Sequence, residues 1–67
     1  MTKRQSEALA FIKAFWKENN HSPSYAEISA DLGVAASHCW ELVHQLHLRG
    51  YVKVMPGRHR SITIKEV

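Results

Sequence analysis

Apolar positions in the first part of the chain recur with a helical period. Ala8, Leu9, Ile12, Phe15 and Trp16 keep the i, i+3/i+4, i+7 spacing of one buried face, while Lys13, Lys17 and Glu18 fall largely elsewhere. With Thr2 placed to cap it, this pattern predicts a helix over 3–19. Asn19, Asn20, His21, Ser22 and Pro23 then break it, because asparagine tolerates left-handed backbone and proline cannot continue a helix. Ser24 and Glu27 form S-x-x-E, a capping box in which each side chain satisfies the other's backbone amide. A second helix over 25–32 follows, with Ile28 and Leu32 inward and Gly33 at the left-handed stop. After a tight connection a third helix is predicted over 37–49, opened by Ala36 or Ser37 and ended by Gly50.

Turned at about 100° per residue, the third helix gathers Cys39, Leu42, Val43 and Leu46 into a core stripe. Ser37, Glu41, His44 and Leu48 lie opposite, with His38, Trp40, Gln45 and His47 on the flanks. Leu48 fits this division least well: it either packs on the base of the following element or marks a self-association patch. Beyond Gly50 the period changes to alternation. Val52 and Val54 share one side, as do Ile62 and Ile64, and Pro56, Gly57, Arg58, His59 and Arg60 lie between the two runs. That is a β-hairpin over 51–65 with a basic tip. The fold class is mainly α with a small β-hairpin, a winged helix-turn-helix of three helices and a two-stranded wing, in one domain spanning 1–67.

At 67 residues and 45% hydrophobic, the chain has globular composition. A domain this small hides only about 60% of the surface of its unfolded form, too little for both a deep catalytic cleft and a core. The sequence holds no charged catalytic pair, Gly-rich phosphate loop or metal box, so neither an enzyme nor a cofactor is expected. Cys39 has no cysteine partner in this chain, and on a core stripe it is a poor nucleophile. His44 and His47 stand at i, i+3, but a structural zinc site wants four ligands and no fourth has suitable spacing. The apolar runs are too short for a membrane span, and Gln5, Ser6 and Glu7 stand where a secretory signal would turn apolar. A cytoplasmic protein is expected.

Nine Lys and Arg against six Asp and Glu leave a net charge of +3, and its placement matters more than its size. Lys3, Arg4, Lys13 and Lys17 are balanced by Glu7, Glu18, Glu27 and Asp31. From Ala35 onward Arg49, Lys53, Arg58, Arg60 and Lys65 face Glu41 and Glu66 alone, so the whole excess falls on the third helix and the hairpin. Such basicity points to nucleic acid or an acidic membrane surface, and histidines gain charge beside phosphate. The second helix of a helix-turn-helix enters the major groove and reads base edges from its first turns. Here those turns hold Ser37, His38, Trp40 and Glu41, with His44 deeper on the same face. Serine and histidine donate or accept, glutamate accepts from cytosine N4, and an aromatic ring meets a thymine methyl. Trp40 is equally suited to packing on the first helix, whereas Trp16 is assigned to the core. Phosphate contacts are assigned to Lys3, Arg4 and Gln5, to Ser24 and Tyr25, and to Arg49, Lys53, Arg58, His59 and Arg60.

Thr2-Lys3-Arg4-Gln5-Ser6-Glu7, read as T-x-R-Q-x-E, and Ser22-Pro23-Ser24-Tyr25-Ala26-Glu27-Ile28, read as P-[ST]-x-x-E-I, resemble the opening and a later segment of the DNA-binding domain of the LexA repressor family. Leu32-Gly33 resembles the L-G that follows, and Leu46-His47-Leu48-Arg49-Gly50-Tyr51-Val52 the L-x-x-[KR]-G-[YVL]-[IV] junction. Ser61-Ile62-Thr63-Ile64 resembles the last wing strand.

The resemblance implies a winged helix that binds a specific duplex operator, usually as a dimer on a palindrome, with base contacts from Ser37, His38, Trp40 and Glu41. Two departures stand out. The loop between Gly33 and Ser37 is one residue shorter than the family's, and Trp40 is unusual at its position, so family operator sequences do not transfer. The family's self-cleaving serine/lysine protease domain is not in this sequence. Autoproteolysis is therefore not expected, and any homodimer is expected to be weak, DNA-assisted or supplied by another protein. The resulting expectation is a sequence-specific double-stranded DNA-binding transcriptional regulator, a repressor, at the nucleoid and with no membrane partner. The competing expectation is a protein-interaction module, an anti-repressor or co-regulator that docks a partner protein through Trp40, Leu48 and Tyr25. The small size is reminiscent of regulators on phages and mobile elements, by association alone.

Overall fold

The first two helices begin where a side chain completes the missing turn. Thr2 Oγ1 accepts from the Gln5 amide at 3.2 Å, and Gln5 Oε1 accepts from the Thr2 amide at 3.3 Å, opening α1 (Lys3–Asn19). Ser24 and Glu27 do the same for α2 (Tyr25–Leu32), at 3.2 and 2.8 Å. The ends follow the expected chemistry. Asn20 takes a left-handed conformation at φ 59° and its amide bonds the Trp16 carbonyl; Gly33 at φ 67° closes α2. The third helix, α3 (Ala36–Leu48), starts one residue before the predicted 37 and ends one before 49, with Arg49 as its C-cap and Gly50 left-handed at φ 82°. Two three-residue strands, β1 (Val52–Val54) and β2 (Ile62–Ile64), pair antiparallel with Val52 opposite Ile64 and Val54 opposite Ile62. The computed structural model describes residues 2–55 and 61–65, so the predicted wing tip of Arg58, His59 and Arg60 lies outside the described residues.

α3 runs through the middle of the molecule and packs on α1, α2 and β1, while β2 packs back on α1. The core is Ala8, Leu9 and Ile12 from α1, Ile28 from α2, Cys39, Leu42, Val43 and Leu46 from α3, and Val52 and Ile62 from the strands. Each fully buried Ile or Leu contributes about 1.5–3 kcal/mol relative to its exposed state. Two expectations for α1 need correction. Gln5 is buried, because its capping bond turns its side chain back against the fold. Phe15 sits off the main core, half-buried, with its ring 5.9 Å from Phe11 and edge-on to His21 at 5.3 Å. Trp16 is half-buried against the core, and its indole Nε1 donates to the Ile62 carbonyl at 2.8 Å.

Ile62 is held a second time. Its amide donates to Ser22 Oγ at 2.9 Å, and Ser22 Oγ donates to the Pro23 carbonyl at 2.8 Å, with Ser22 itself only 4% exposed. The chain break between α1 and α2 thus provides the socket for the second strand. A buried amide without an acceptor carries the full desolvation penalty. Ser22→Ala is therefore expected to lower stability in urea unfolding by about 1–3 kcal/mol. Ser29→Ala, which removes an exposed bond to the Ala26 carbonyl, is expected to stay within about 0.5 kcal/mol.

Candidate nucleic-acid interface

The buried stripe of α3 leaves Ser37, His38, Trp40 and Glu41 exposed on its first two turns and His44 half-buried one turn further on. Trp40 does not fold down onto α1. It is 52% exposed and lies parallel to His44, with ring centroids 4.7 Å apart and an interplanar angle of 11°. His47 continues the row, 6.5 Å from His44, and its Nδ1 donates to the Val52 carbonyl at 3.3 Å, tying α3 to β1. Leu48 does not pack on the hairpin: it is 65% exposed.

Two clefts flank the exposed row. On the α1 side a cleft of about 520 Å³ brings Thr2 and Arg4 together with His38, Trp40 and Glu41. On the other side Tyr25 and Val54 face Trp40, His44 and His47 across about 270 Å³. Five of the residues singled out from the sequence (Arg4, Tyr25, His38, Trp40 and Glu41) therefore share one continuous surface, joined by His44. Lys3 is exposed beside Arg4 at the start of α1, Arg49 is exposed at the end of α3, and Lys53 is exposed on β1 between two inward valines. Gln5 and Ser24 are placed differently. Both are buried, with their side chains committed to caps. What α2 offers outward is its first turn of backbone: the Tyr25 and Ala26 amides have no intrahelical acceptor at those positions. Burial, with a smaller effect from the neighbouring Cys39, pushes the Tyr25 phenol up from its ordinary value, so it stays a neutral donor.

The charge at the helix starts is informative. α1 has no acidic residue in its first turn and carries Lys3 and Arg4 there, against the sign its dipole favours. Arg4 is partly compensated by a hydrogen bond to the Leu32 carbonyl at 3.2 Å and a 3.7 Å pair with Glu7, an exposed pair of little worth. α3 begins at Ala35, whose side chain cannot cap, and likewise has no acidic residue in its first turn. Neither a side-chain cap nor a first-turn carboxylate therefore meets the first amides and the positive dipole end of α3. Sequence reasoning opened α3 at Ala36 or Ser37 and did not single out Ala35 as its cap, because an alanine side chain leaves no capping signal. Among the described residues, no group of three His, Cys, Asp or Glu could hold a metal ion, and no helix is long and apolar enough to cross a membrane.

The sequence has known relatives. The family model described as the LexA DNA binding domain matches residues 1–61. The chain belongs to the LexA DNA-binding domain family. It is 34% identical over 67 residues to the LexA repressor of Cellvibrio japonicus (strain Ueda107), covering 98% of this chain and 34% of that protein. It is 37% identical over 65 residues to the LexA repressor of Pseudomonas chlororaphis, covering 96% and 32%. The LexA repressor of Leptospira interrogans serovar Lai is 30% identical over 64 residues, covering 96% and 32%. The chain spans about a third of the length of these curated relatives. LexA-family membership agrees with the order of elements and with the junction at Gly50.

Two expectations follow from this geometry. Ala35→Asp supplies the missing cap of α3 and should raise stability by about 0.5–2 kcal/mol, while weakening duplex binding, because it sets a carboxylate where phosphate would sit; thermal melts and fluorescence anisotropy on one preparation check both halves. Cys39 is fully buried, its Sγ donates to the Tyr25 carbonyl at 3.5 Å, and burial pushes its thiol up. A raised folded value means that its contribution to stability is complete below the unfolded thiol's range and is lost as pH rises through the folded value. Stability is thus expected to fall above about pH 8.5, less steeply in Cys39→Ala, and an aromatic disulfide reagent at pH 8 should label the native thiol only as fast as the protein opens.

Proposed function

We propose that this chain is a sequence-specific double-stranded DNA-binding module of a transcriptional repressor, with α3 in the major groove. The observation that carries this reading is the uncapped, acid-free start of α3, followed within two turns by the exposed His38, Trp40 and Glu41, which share a cleft with the cation Arg4. That arrangement costs local helix stability and fits a polyanion. Base readout falls to Ser37, His38, Trp40 and Glu41, with His44 behind them. Phosphate contacts fall to Lys3, Arg4, the first turn of α2 at Ser24 and Tyr25, Arg49, Lys53, and the sequence positions Arg58, His59 and Arg60. The printed name of the relatives, LexA repressor, supports the repressor role. One such module buries only about 600–1,000 Å² on DNA, so two copies about one helical turn apart, a weak or DNA-assisted homodimer, supply useful specificity. The site of action is the nucleoid.

A second reading, a protein-interaction module that docks a partner protein, is favoured by the exposure of Leu48 together with Trp40. Binding to random-sequence duplex separates the two. For the DNA reading, affinity should fall steeply with salt, by close to one unit of log–log slope per phosphate neutralised. Arg58→Ala with Arg60→Ala should weaken binding about equally on all sequences and flatten that slope, whereas Glu41→Ala should change the bases selected from a random duplex pool. Binding that is absent, or indifferent to salt, leaves the interaction module standing.

A further inference from the structure

The Trp40–His44 stack offers something that the charged and hydroxyl groups around it cannot. An indole half in water is an unfavourable resting place for so large an apolar surface, yet Trp40 is held there, 52% exposed, in a parallel stack rather than turned into the cleft on either side. The two rings form the ridge between those clefts, both of which they line. The ridge starts within the first two turns of α3, the depth at which a recognition helix meets base edges. On the edges of B-DNA's major groove, one feature is apolar: the methyl at C5 of thymine, which 5-methylcytosine shares. The ring carbons of Trp40 suit that group, since its polar atom is a lone N–H donor.

We propose that Trp40 reads the C5-methyl of a pyrimidine and that His44 is the positioning residue that holds the indole ready for it. This rests on the duplex-binding reading above. Stacking fixes the Trp40 rotamer before binding, so the ordering cost of a long contact is met in the free protein. Methyl reading adds to what the neighbouring groups do: Glu41 accepts hydrogen bonds and selects amino groups, Ser37 and His38 serve either sense, and Trp40 distinguishes pyrimidines that those groups see alike.

The test uses the tightest duplex selected from a random pool, with each thymine replaced singly by deoxyuridine and each cytosine by 5-methylcytosine. Loss or gain of one methyl is expected to change wild-type affinity by about three- to fivefold at one position per half-site. A loss on deoxyuridine assigns the site to thymine, and a gain on 5-methylcytosine assigns it to the modified base. Trp40→Ala should bind methylated and unmethylated duplexes alike, and a thermal melt followed by circular dichroism, with its midpoint close to that of wild type, reports that it is folded. His44→Ala should cut the methyl effect to below about twofold, and His44→Phe, which restores a stacking ring, should recover it. The inference is overturned if wild type ignores every methyl, or if Trp40→Ala keeps the same discrimination. An unchanged methyl effect in His44→Ala removes the positioning role. Failure of the pool to converge removes the proposed function and this inference together, whereas convergence with methyl indifference removes this inference alone.

Discussion

Cys39, Val43 and Leu46 are wholly buried and Leu42 nearly so, and these four side chains set the rotation of α3 about its own axis. A helix packed on three neighbours by one stripe can present only the complementary face outward, and here that face begins with Ser37, Trp40 and Glu41. Core and candidate surface are therefore one helix seen from two sides. In a domain of this size net stability is on the order of 0.05–0.15 kcal/mol per residue. Trimming one of these buried side chains to alanine, at about 2–5 kcal/mol for a large one, threatens the fold and the candidate surface alike.

Most element boundaries were legible because the chain marks them chemically. Thr2 with Gln5 and Ser24 with Glu27 are reciprocal caps, and Asn20, Gly33 and Gly50 take the left-handed backbone that ends a helix. Alternation of Val52 with Val54 and of Ile62 with Ile64 set the strand faces that pair in register. What was not legible depends on contacts distant in sequence. Nothing local says that Ser22 receives the amide of Ile62, forty residues on, or that Arg4 reaches the carbonyl of Leu32. The α3 start was misplaced by one residue because alanine at a cap leaves no mark. Periodicity assigned Phe15 to the core, but near the end of α1 the ring packs with Phe11 and His21 instead. For the candidate surface, periodicity identified the exposed side chains of α3 correctly but could not settle Trp40, whose position depends on a stacking partner one turn away. Gln5 and Ser24 illustrate the converse: polar residues near the surface whose valences are already filled inside the fold.

Local rules are kept on one side of the molecule and broken on the other. The starts of α1 and α2 each carry a reciprocal side-chain cap, and no buried side-chain nitrogen or oxygen among the described residues lacks a hydrogen-bond partner. Around the start of α3, by contrast, a cap is missing, cations sit at the positive end of a neighbouring helix, and a tryptophan stands in solvent. Consistency across local choices is the usual mark of a foldable sequence, and its departures gather where a partner is to be met.

The double anchoring of Ile62 limits how far the strands can move relative to α3. Trp16 holds its carbonyl and Ser22 its amide, so the strand pair is bolted to α1 and to the first interhelical turn, while His47 bolts β1 to α3. The separation between the rod and the hairpin base is then a property of the scaffold. It works like the fixed jaws of a caliper: whatever touches both must match the gauge, because the scaffold has little freedom to open or close around it.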